Sequence, residues 1–399
     1  MKKVFSLLLL ISSTFYIGKA QNINFKALDS LYSSKAYSEL IIIAEQSLSN
    51  TDNSIYSKSK LNYILSNAYY KSNDFVRCYA YIQQSYKEVE QLALKDTSEV
   101  EIFIDVSQRL GDYSFQAEEL KIGIDALDRA IKLGEEQLSN DGWRIGRLFH
   151  KAGAFYREGA DMENALDRLQ RGEKYLPKIL SEGKRNYLST VFLSEMAQVY
   201  NDNNELSKSI GIFKKILKDA YSNENIQRIS IYNNNIGIAY ERKGDYGRAE
   251  YHYKKSLEAK LELYGSNTPK LIVSNEGLGR INTKLGKHKV AQDYFKKNIE
   301  IIKEIFGDNH IKIGKSEFNI GTSFYQQKAY KKALPHFEKS LYVRMSNKSI
   351  NQLIIGESEF MIGSCLVELD KAKDAIPILK KALDSRNSTD LTSEDYVQS

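Results

Sequence analysis

The segment that decides the fold is Asn235-Ile-Gly-Ile-Ala-Tyr-Glu-Arg-Lys-Gly-Asp-Tyr-Gly-Arg-Ala-Glu-Tyr-His-Tyr-Lys-Lys-Ser-Leu257. Gly237 and Tyr240 fall on one face of a helix, since residues three or four apart are neighbours on a helix surface. Gly244 then favours the left-handed conformation that ends a helix, and Asp245 is a good cap for the next one. The segment therefore predicts a hairpin of two helices. The second helix carries an apolar residue at every fourth position: Ala249, Tyr253 and Leu257.

The same pattern recurs along the chain with a fixed step. Two sets of small residues stand 42 positions apart: Gly237, Gly279, Gly321, Gly363, and Ala249, Ala291, Ala333, Ala375. A fixed period between about 20 and 50 residues marks a repeat array, in which each unit buries its apolar face against the next. Weaker matches continue towards the N-terminus at Ala197, Gly153, Gly111, Ser66 and Leu31. The pattern therefore predicts about nine hairpins over residues 24–384.

This pattern resembles the tetratricopeptide repeat, whose usual unit is about 34 residues. The longer step is similar to that of the subtype found in kinesin light chains. Tyr264–Pro269 and Phe306–His310 resemble the linker signature of that subtype, although Ile311 stands where proline is expected. The resemblance implies an all-α fold, a right-handed α-solenoid of stacked helix hairpins. We expect one such solenoid over residues 21–384 and a polar tail over residues 385–399.

The first 20 residues indicate an export signal. Lys2 and Lys3 precede an apolar stretch, Val4–Ile17, and Gly18–Ala20 supplies a small-residue cleavage site. A membrane anchor is the alternative, but this stretch has 14 residues and a spanning helix needs about 20. We therefore expect a bacterial protein in the periplasm or outside the cell, with no integral membrane segment once the signal is removed.

Charge and the C-terminal end limit the partners. Removing Lys2, Lys3 and Lys19 lowers the net charge from +6 to +3, which gives no general attraction to nucleic acid. A solenoid normally ends in a cap with a polar outer face, and none is evident after Leu383. Either a partner covers the last helix, or a longer chain continues beyond Ser399 with a cap or an effector region. The sequence sets no oligomeric state.

Residues for chemistry are sparse. No two of the five histidines stand three to five positions apart, so the helical zinc spacing is absent. The chain also has no G-x-S-x-G motif, no phosphate-binding glycine loop and no C-x-x-C pair. We expect no enzyme activity, no metal and no cofactor. His310 is expected to cap the helix that follows it, and Cys78 and Cys365 to be free thiols.

The resemblance implies that a protein or an extended peptide binds the concave groove formed by the first helix of each hairpin. The groove positions lie three before, one after and four after the small residue of that helix. The candidate groove residues are Tyr63, Tyr70, His150, Arg157, Asn234, Asn235, Ile238, Glu241, Arg280, Phe318, Thr322, Tyr325 and Phe360. Two interpretations remain open for Phe318, Tyr325 and Phe360: they form side-chain pockets for a peptide, or they pack between adjacent repeats.

These observations predict a non-catalytic, exported scaffold or adaptor. One alternative is a sensory or regulatory input region of a bacterial signalling system, whose effector lies in a longer chain or in a partner. A lesser alternative is a component of a glycan-uptake system. Paired lysines at one repeat position, such as Lys254–Lys255, suggest nucleic-acid binding, but nearby Glu258 and Glu262 favour a solvated outer face.

Overall fold

A computed structural model describes residues 23–49, 53–347 and 352–397 of the chain. These residues form eighteen α-helices and two short 3-10 turns, Leu176–Lys178 and Pro269–Leu271, and contain no strand. The all-α prediction is confirmed. The export signal predicted at residues 1–20 lies outside the described residues.

The chain divides into two compact units, an N-terminal unit that ends at Glu195 and a C-terminal unit that begins at Met196. The helices of the N-terminal unit are α1 (Phe25–Ser33), α2 (Tyr37–Leu48), α3 (Ile55–Lys71), α4 (Phe75–Val89), α5 (Thr97–Gln116), α6 (Leu120–Gln137), α7 (Gly142–Glu158) and α8 (Met162–Glu173). Helix α9 (Glu182–Asp202) runs through the boundary. The C-terminal unit continues with α10 (Leu206–Ser222), α11 (Ile226–Lys243), α12 (Tyr246–Tyr264), α13 (Ile272–Lys284), α14 (His288–Phe306), α15 (Ile311–Gln326), α16 (Tyr330–Met345), α17 (Gln352–Glu368) and α18 (Ala372–Val397).

Consecutive helices pack as hairpins within each unit. The N-terminal unit pairs α3 with α4, α5 with α6 and α7 with α8, and the C-terminal unit pairs α11 with α12, α13 with α14, α15 with α16 and α17 with α18. In each pair the first helix carries the small residue of the repeat. First helices of neighbouring hairpins also touch: α3 with α5, α5 with α7, α11 with α13 and α13 with α15.

The turn chemistry expected from the sequence is present. Gly244 ends α11 with φ of 80°, in the left-handed region, and the Asp245 side chain accepts a hydrogen bond from the Arg248 amide at the start of α12. The His310 ring accepts a hydrogen bond from the Lys312 amide at 3.3 Å and caps α15, as predicted. Cys78 and Cys365 are buried and free.

The repeated glycine of the first helix makes room for a ring from the second. A Cβ at Gly237 would lie 2.9 Å from the Tyr253 ring, and one at Gly321 would lie 2.8 Å from the Phe337 ring. Both rings are buried. At three of the four glycines in the period of 42 residues, the glycine on one helix therefore faces a ring on its partner helix, and at Gly363 it faces Leu379.

Buried serines join neighbouring hairpins of the C-terminal unit. Ser274 on α13 receives a hydrogen bond from Lys260 Nζ at 2.8 Å, and Ser358 on α17 receives one from Arg344 Nη1 at 2.9 Å. At the equivalent position on α15, Ser316 is buried and its hydroxyl has no hydrogen-bond partner among the described residues. At this repeat position, two serine hydroxyls thus have hydrogen-bond partners and the third has none among the described residues.

Candidate functional site

All thirteen candidate residues lie on first helices, and we call the side that carries them the first-helix face. In the N-terminal unit this face belongs to α3, α5 and α7, and in the C-terminal unit to α11, α13, α15 and α17.

Aromatic residues occupy the α3 and α5 part of the N-terminal face. Tyr70 stacks on the buried Tyr113 ring with centroids 5.0 Å apart, and the Gln116 amide donates to the Tyr70 hydroxyl at 3.4 Å. The Arg109 guanidinium lies 5.6 Å from the centre of the same Tyr113 ring. Tyr63, half-buried on α3, lies close to Arg109. Tyr63 and Tyr70 thus contact residues of α5.

Ion pairs dominate the α5 and α7 part of that face. Arg157 Nε donates to Glu195 Oε1 at 2.6 Å, and His150 Nε2 lies 4.0 Å from the other oxygen of the same carboxylate. Lys151 pairs with Asp112 on α5. Burial, together with the nearby Lys151 and Arg147 charges, lowers the pKa of His150 to about 4, so the ring is neutral at pH 7. The charges of this face are therefore largely committed to one another.

A bidentate ion pair crosses from α11 to α13 in the C-terminal unit. Arg280 donates through Nε and Nη2 to the two oxygens of Glu241 at 2.9 and 2.8 Å, and the Tyr253 hydroxyl donates to the same carboxylate at 2.6 Å. Burial alone would raise the pKa of Glu241, but the hydrogen bonds from Arg280 and Tyr253 hold it below its usual value. The sequence pattern predicted that Glu241 and Arg280 lie on one face, but it did not predict that they form an ion pair.

Three other candidates surround this pair on α11. Asn234 is 9% exposed and its Oδ1 has no hydrogen-bond partner among the described residues. Asn235 and Ile238 are half-buried. A second ion pair, from Lys315 Nζ on α15 to Glu276 Oε2 on α13 at 2.9 Å, continues the face towards its aromatic part.

The aromatic part of the C-terminal face lies on α15 and α17. Phe318 packs edge-on against Phe337 with centroids 5.3 Å apart, and Tyr325 packs edge-on against Tyr330 at 5.1 Å. Both are partly buried against the core of that region. Thr322 donates its hydroxyl to the Phe318 carbonyl at 2.9 Å.

Phe360, on α17, is different, because 57% of it is exposed. Phe318 and Tyr325 thus pack on α16, the second helix of their own hairpin, and Phe360 leaves an apolar surface exposed. The choice between side-chain pockets for a peptide and packing between adjacent repeats stays a prediction.

The residues of three ion pairs on the first helices share one separation in the sequence. Asp112 and Lys151, Glu241 and Arg280, and Glu276 and Lys315 each stand 39 positions apart. That separation is one repeat of 42 residues less three, the spacing of neighbours on adjacent turns of a helix. Opposite charges at this separation predict a contact between the first helices of adjacent hairpins.

Comparison with known proteins finds tetratricopeptide repeats within the C-terminal unit. The tetratricopeptide repeat model matches residues 227–304 and 271–346. No curated protein sequence matches the chain. The crystal structure of the apo form of RapI superposes with a TM-score of 0.63 at 17% identity, covering 92% of this chain and 98% of RapI. The apo form of the quorum sensor NprR from B. thuringiensis superposes with a TM-score of 0.61 at 14% identity, covering 90% of this chain and 97% of NprR. These likenesses confirm the fold, while the kinesin-light-chain-like subtype and the number of repeats stay predictions.

Proposed function

We propose that this tetratricopeptide-repeat protein is a non-catalytic scaffold or adaptor that binds a protein or an extended peptide on the first-helix face of its C-terminal unit. The exposure of Phe360 is the observation that carries the proposal. An aromatic side chain on the binding face of a repeat helix provides a large apolar contact at low entropic cost, the usual property of an interface anchor. The half-buried Phe318 and Tyr325 extend that apolar surface onto α15.

The polar part of the face supplies the complementary function. Arg280 uses Nε and one Nη2 hydrogen on Glu241, which leaves further N–H groups for a ligand. An extended peptide has a carbonyl at every residue, and an arginine already fixed by a bidentate pair loses little entropy when it donates to one. We therefore expect the peptide backbone near α11 and α13 and an apolar side chain near Phe360.

Signal reception is the second candidate. The fold is shared over nearly the whole chain with NprR, a quorum sensor, and with RapI. In this proposal the bound peptide is a signal, and the chain is the input region of a signalling system whose effector is a partner or a further segment. Fold likeness at this level of identity supports the idea but does not assign the ligand.

Export is part of the same proposal and rests on residues 1–20 alone. A periplasmic or extracellular location would expose the face to peptides outside the cytoplasm. N-terminal sequencing of protein recovered from the producing bacterium tests this. A mature chain that begins at Gln21 supports export, and an intact Met1 in the cytoplasmic fraction contradicts it.

Peptide binding is tested with a random-peptide display library selected on the purified chain. Enriched peptides are synthesised and titrated by fluorescence anisotropy against the natural protein, Phe360→Ala and Tyr342→Ala. Tyr342 is a matched control, because it is 65% exposed but lies on the second helix α16. We expect Phe360→Ala to weaken binding at least about tenfold, the loss typical of an interface anchor, and Tyr342→Ala to leave it unchanged. Equal affinities for all three proteins, or no enrichment, would contradict the proposal.

A further inference from the structure

A cavity of about 400 Å³ lies in the N-terminal unit among α2, α3 and α4. Its size falls within the range of small-molecule sites, which begins near 300 Å³. The lining residues are Leu48, Lys58, Asn62, Ala80, Tyr81, Gln84 and Glu88. Nothing in the peptide proposal uses this cavity.

Two opposite charges line the cavity without pairing. The Glu88 carboxylate receives hydrogen bonds from Asn62 Nδ2 at 2.8 Å and from Gln84 Nε2 at 3.1 Å, and neither donor is charged. Lys58, one helical turn before Asn62, forms no ion pair with any described residue. A carboxylate held by two amides, and an ammonium without an ion pair in the part of the chain that the structure describes, are each able to take an opposite charge from a ligand.

The Asn62 amide fixes the position of the carboxylate. Its side chain is 1% exposed, and its Nδ2 must face Glu88, since the carboxylate can only accept. The Asn62 Oδ1 has no hydrogen-bond partner among the described residues. Glu88 is therefore presented to the cavity in a set orientation.

The rest of the lining is apolar and partly rigid. Tyr81 donates its hydroxyl to Glu45 at 2.9 Å and stacks on Tyr69 with centroids 5.4 Å apart, so its ring is held from two sides. Leu48 and Ala80 complete the apolar lining. A preorganised apolar surface beside a fixed carboxylate lowers the entropy cost of binding.

We propose that this cavity binds a free α-amino acid with an apolar side chain. The ligand carboxylate pairs with Lys58, the ligand ammonium pairs with Glu88, and the side chain packs on Tyr81, Leu48 and Ala80. A free amino acid carries both charges and pairs with both protein groups, whereas the backbone of an internal peptide segment carries neither charge. The site is independent of the proposed peptide site, because it lies in the other unit and takes a different ligand.

Isothermal titration with L-leucine tests the proposal, with leucinamide and 4-methylpentanoate as analogues that each lack one charge. We expect saturable binding of one leucine per chain and at least tenfold weaker binding of either analogue. Lys58→Met and Glu88→Gln should each weaken leucine binding at least tenfold, whereas Lys71→Met, on the same helix but outside the cavity, should not. Leucinamide lacks the carboxylate, so its affinity should be insensitive to Lys58→Met.

The analogue series on the natural protein stands even where a variant fails to fold. The proposal is overturned by the absence of saturable leucine binding, by equal binding of leucine and both analogues, or by folded Lys58→Met and Glu88→Gln proteins that bind leucine normally. None of these results bears on peptide capture by Phe360.

Discussion

The first-helix face of the N-terminal unit packs the exposed aromatic side chain of Phe115 (47% exposed) on Phe155, whereas that of the C-terminal unit leaves Phe360 (57% exposed) with no ring contact among the described residues. Arg157 and His150 both face the buried Glu195, and Lys151 is committed to Asp112. In the C-terminal unit, Phe360 lies beyond the Glu241–Arg280 pair with most of its ring exposed. The N-terminal face therefore holds most of its charged and aromatic side chains in contacts of its own, whereas the C-terminal face keeps a more exposed aromatic side chain.

The cores of the two units differ in a related way. In the C-terminal unit the repeat glycine meets a ring at three of its four positions, as at Gly321 and Phe337, and meets Leu379 at Gly363. In the N-terminal unit it meets a leucine, and at Gly111 the edge of the Phe155 ring as well. The residues that the family model matches lie in the C-terminal unit. The sequence pattern that the family model recognises is therefore found where a glycine contacts a ring. A helical hairpin also forms where the glycine contacts a leucine.

The largest expected effect comes from breaking the ion pairs of the two faces. Arg157→Met leaves Glu195 buried beside a neutral side chain, because Glu195 is only 10% exposed at its side chain, and should lower the free energy of unfolding by about 3 kcal/mol. Arg280→Met should cost about 1–2 kcal/mol, because that pair is more exposed and Glu241 keeps the Tyr253 hydroxyl. Urea unfolding followed by circular dichroism measures both. A larger loss of unfolding free energy for Arg280→Met than for Arg157→Met would contradict the view that the ion pair of the N-terminal face is the more buried and the stronger one.

Glycine substitutions compare the two cores. Gly321→Ala would place a Cβ within 2.8–3.0 Å of three Phe337 ring atoms, and should destabilise the protein by about 2 kcal/mol through overpacking. Gly111→Ala would place a Cβ 3.1 Å from both Leu127 Cδ1 and Phe155 Cε2, which need shift only slightly, and the gain of about 1 kcal/mol in helix propensity offsets the strain. Differential scanning calorimetry of both variants checks this. Equal losses of stability would show that the Gly321 site is packed no more tightly than the Gly111 site.

The smallest effect concerns the serines of the C-terminal unit. Ser274→Ala removes the acceptor of Lys260 and should cost about 1–2 kcal/mol. Ser316→Ala deletes a buried hydroxyl that has no partner and should be neutral or slightly stabilising. Unfolding midpoints in urea separate the two. A destabilised Ser316→Ala protein would mean that its hydroxyl is satisfied in solution.

Sequence periodicity predicts the architecture because small residues, caps and turns are local and repeat. Gly244, Asp245 and His310 take the roles expected from their neighbours alone. The partners of candidate site residues depend on contacts between repeats, which single positions do not reveal. Glu241 was placed on the correct helix, yet its pairing with Arg280 becomes visible only through the separation of 39 positions. Exposure is harder still, since Phe318 and Phe360 hold the same repeat position and differ in burial.

Crosslink mapping of an enriched display peptide shows whether peptides bind the first-helix face of the C-terminal unit. The peptide carries a photoreactive side chain, and mass spectrometry locates the residues of the chain to which it attaches. We predict attachment on α11, α13, α15 and α17, with loss of attachment when Phe360 is replaced by alanine. Attachment confined to the second helices α12, α14 and α16, or to the N-terminal unit, would contradict binding at the first-helix face of the C-terminal unit.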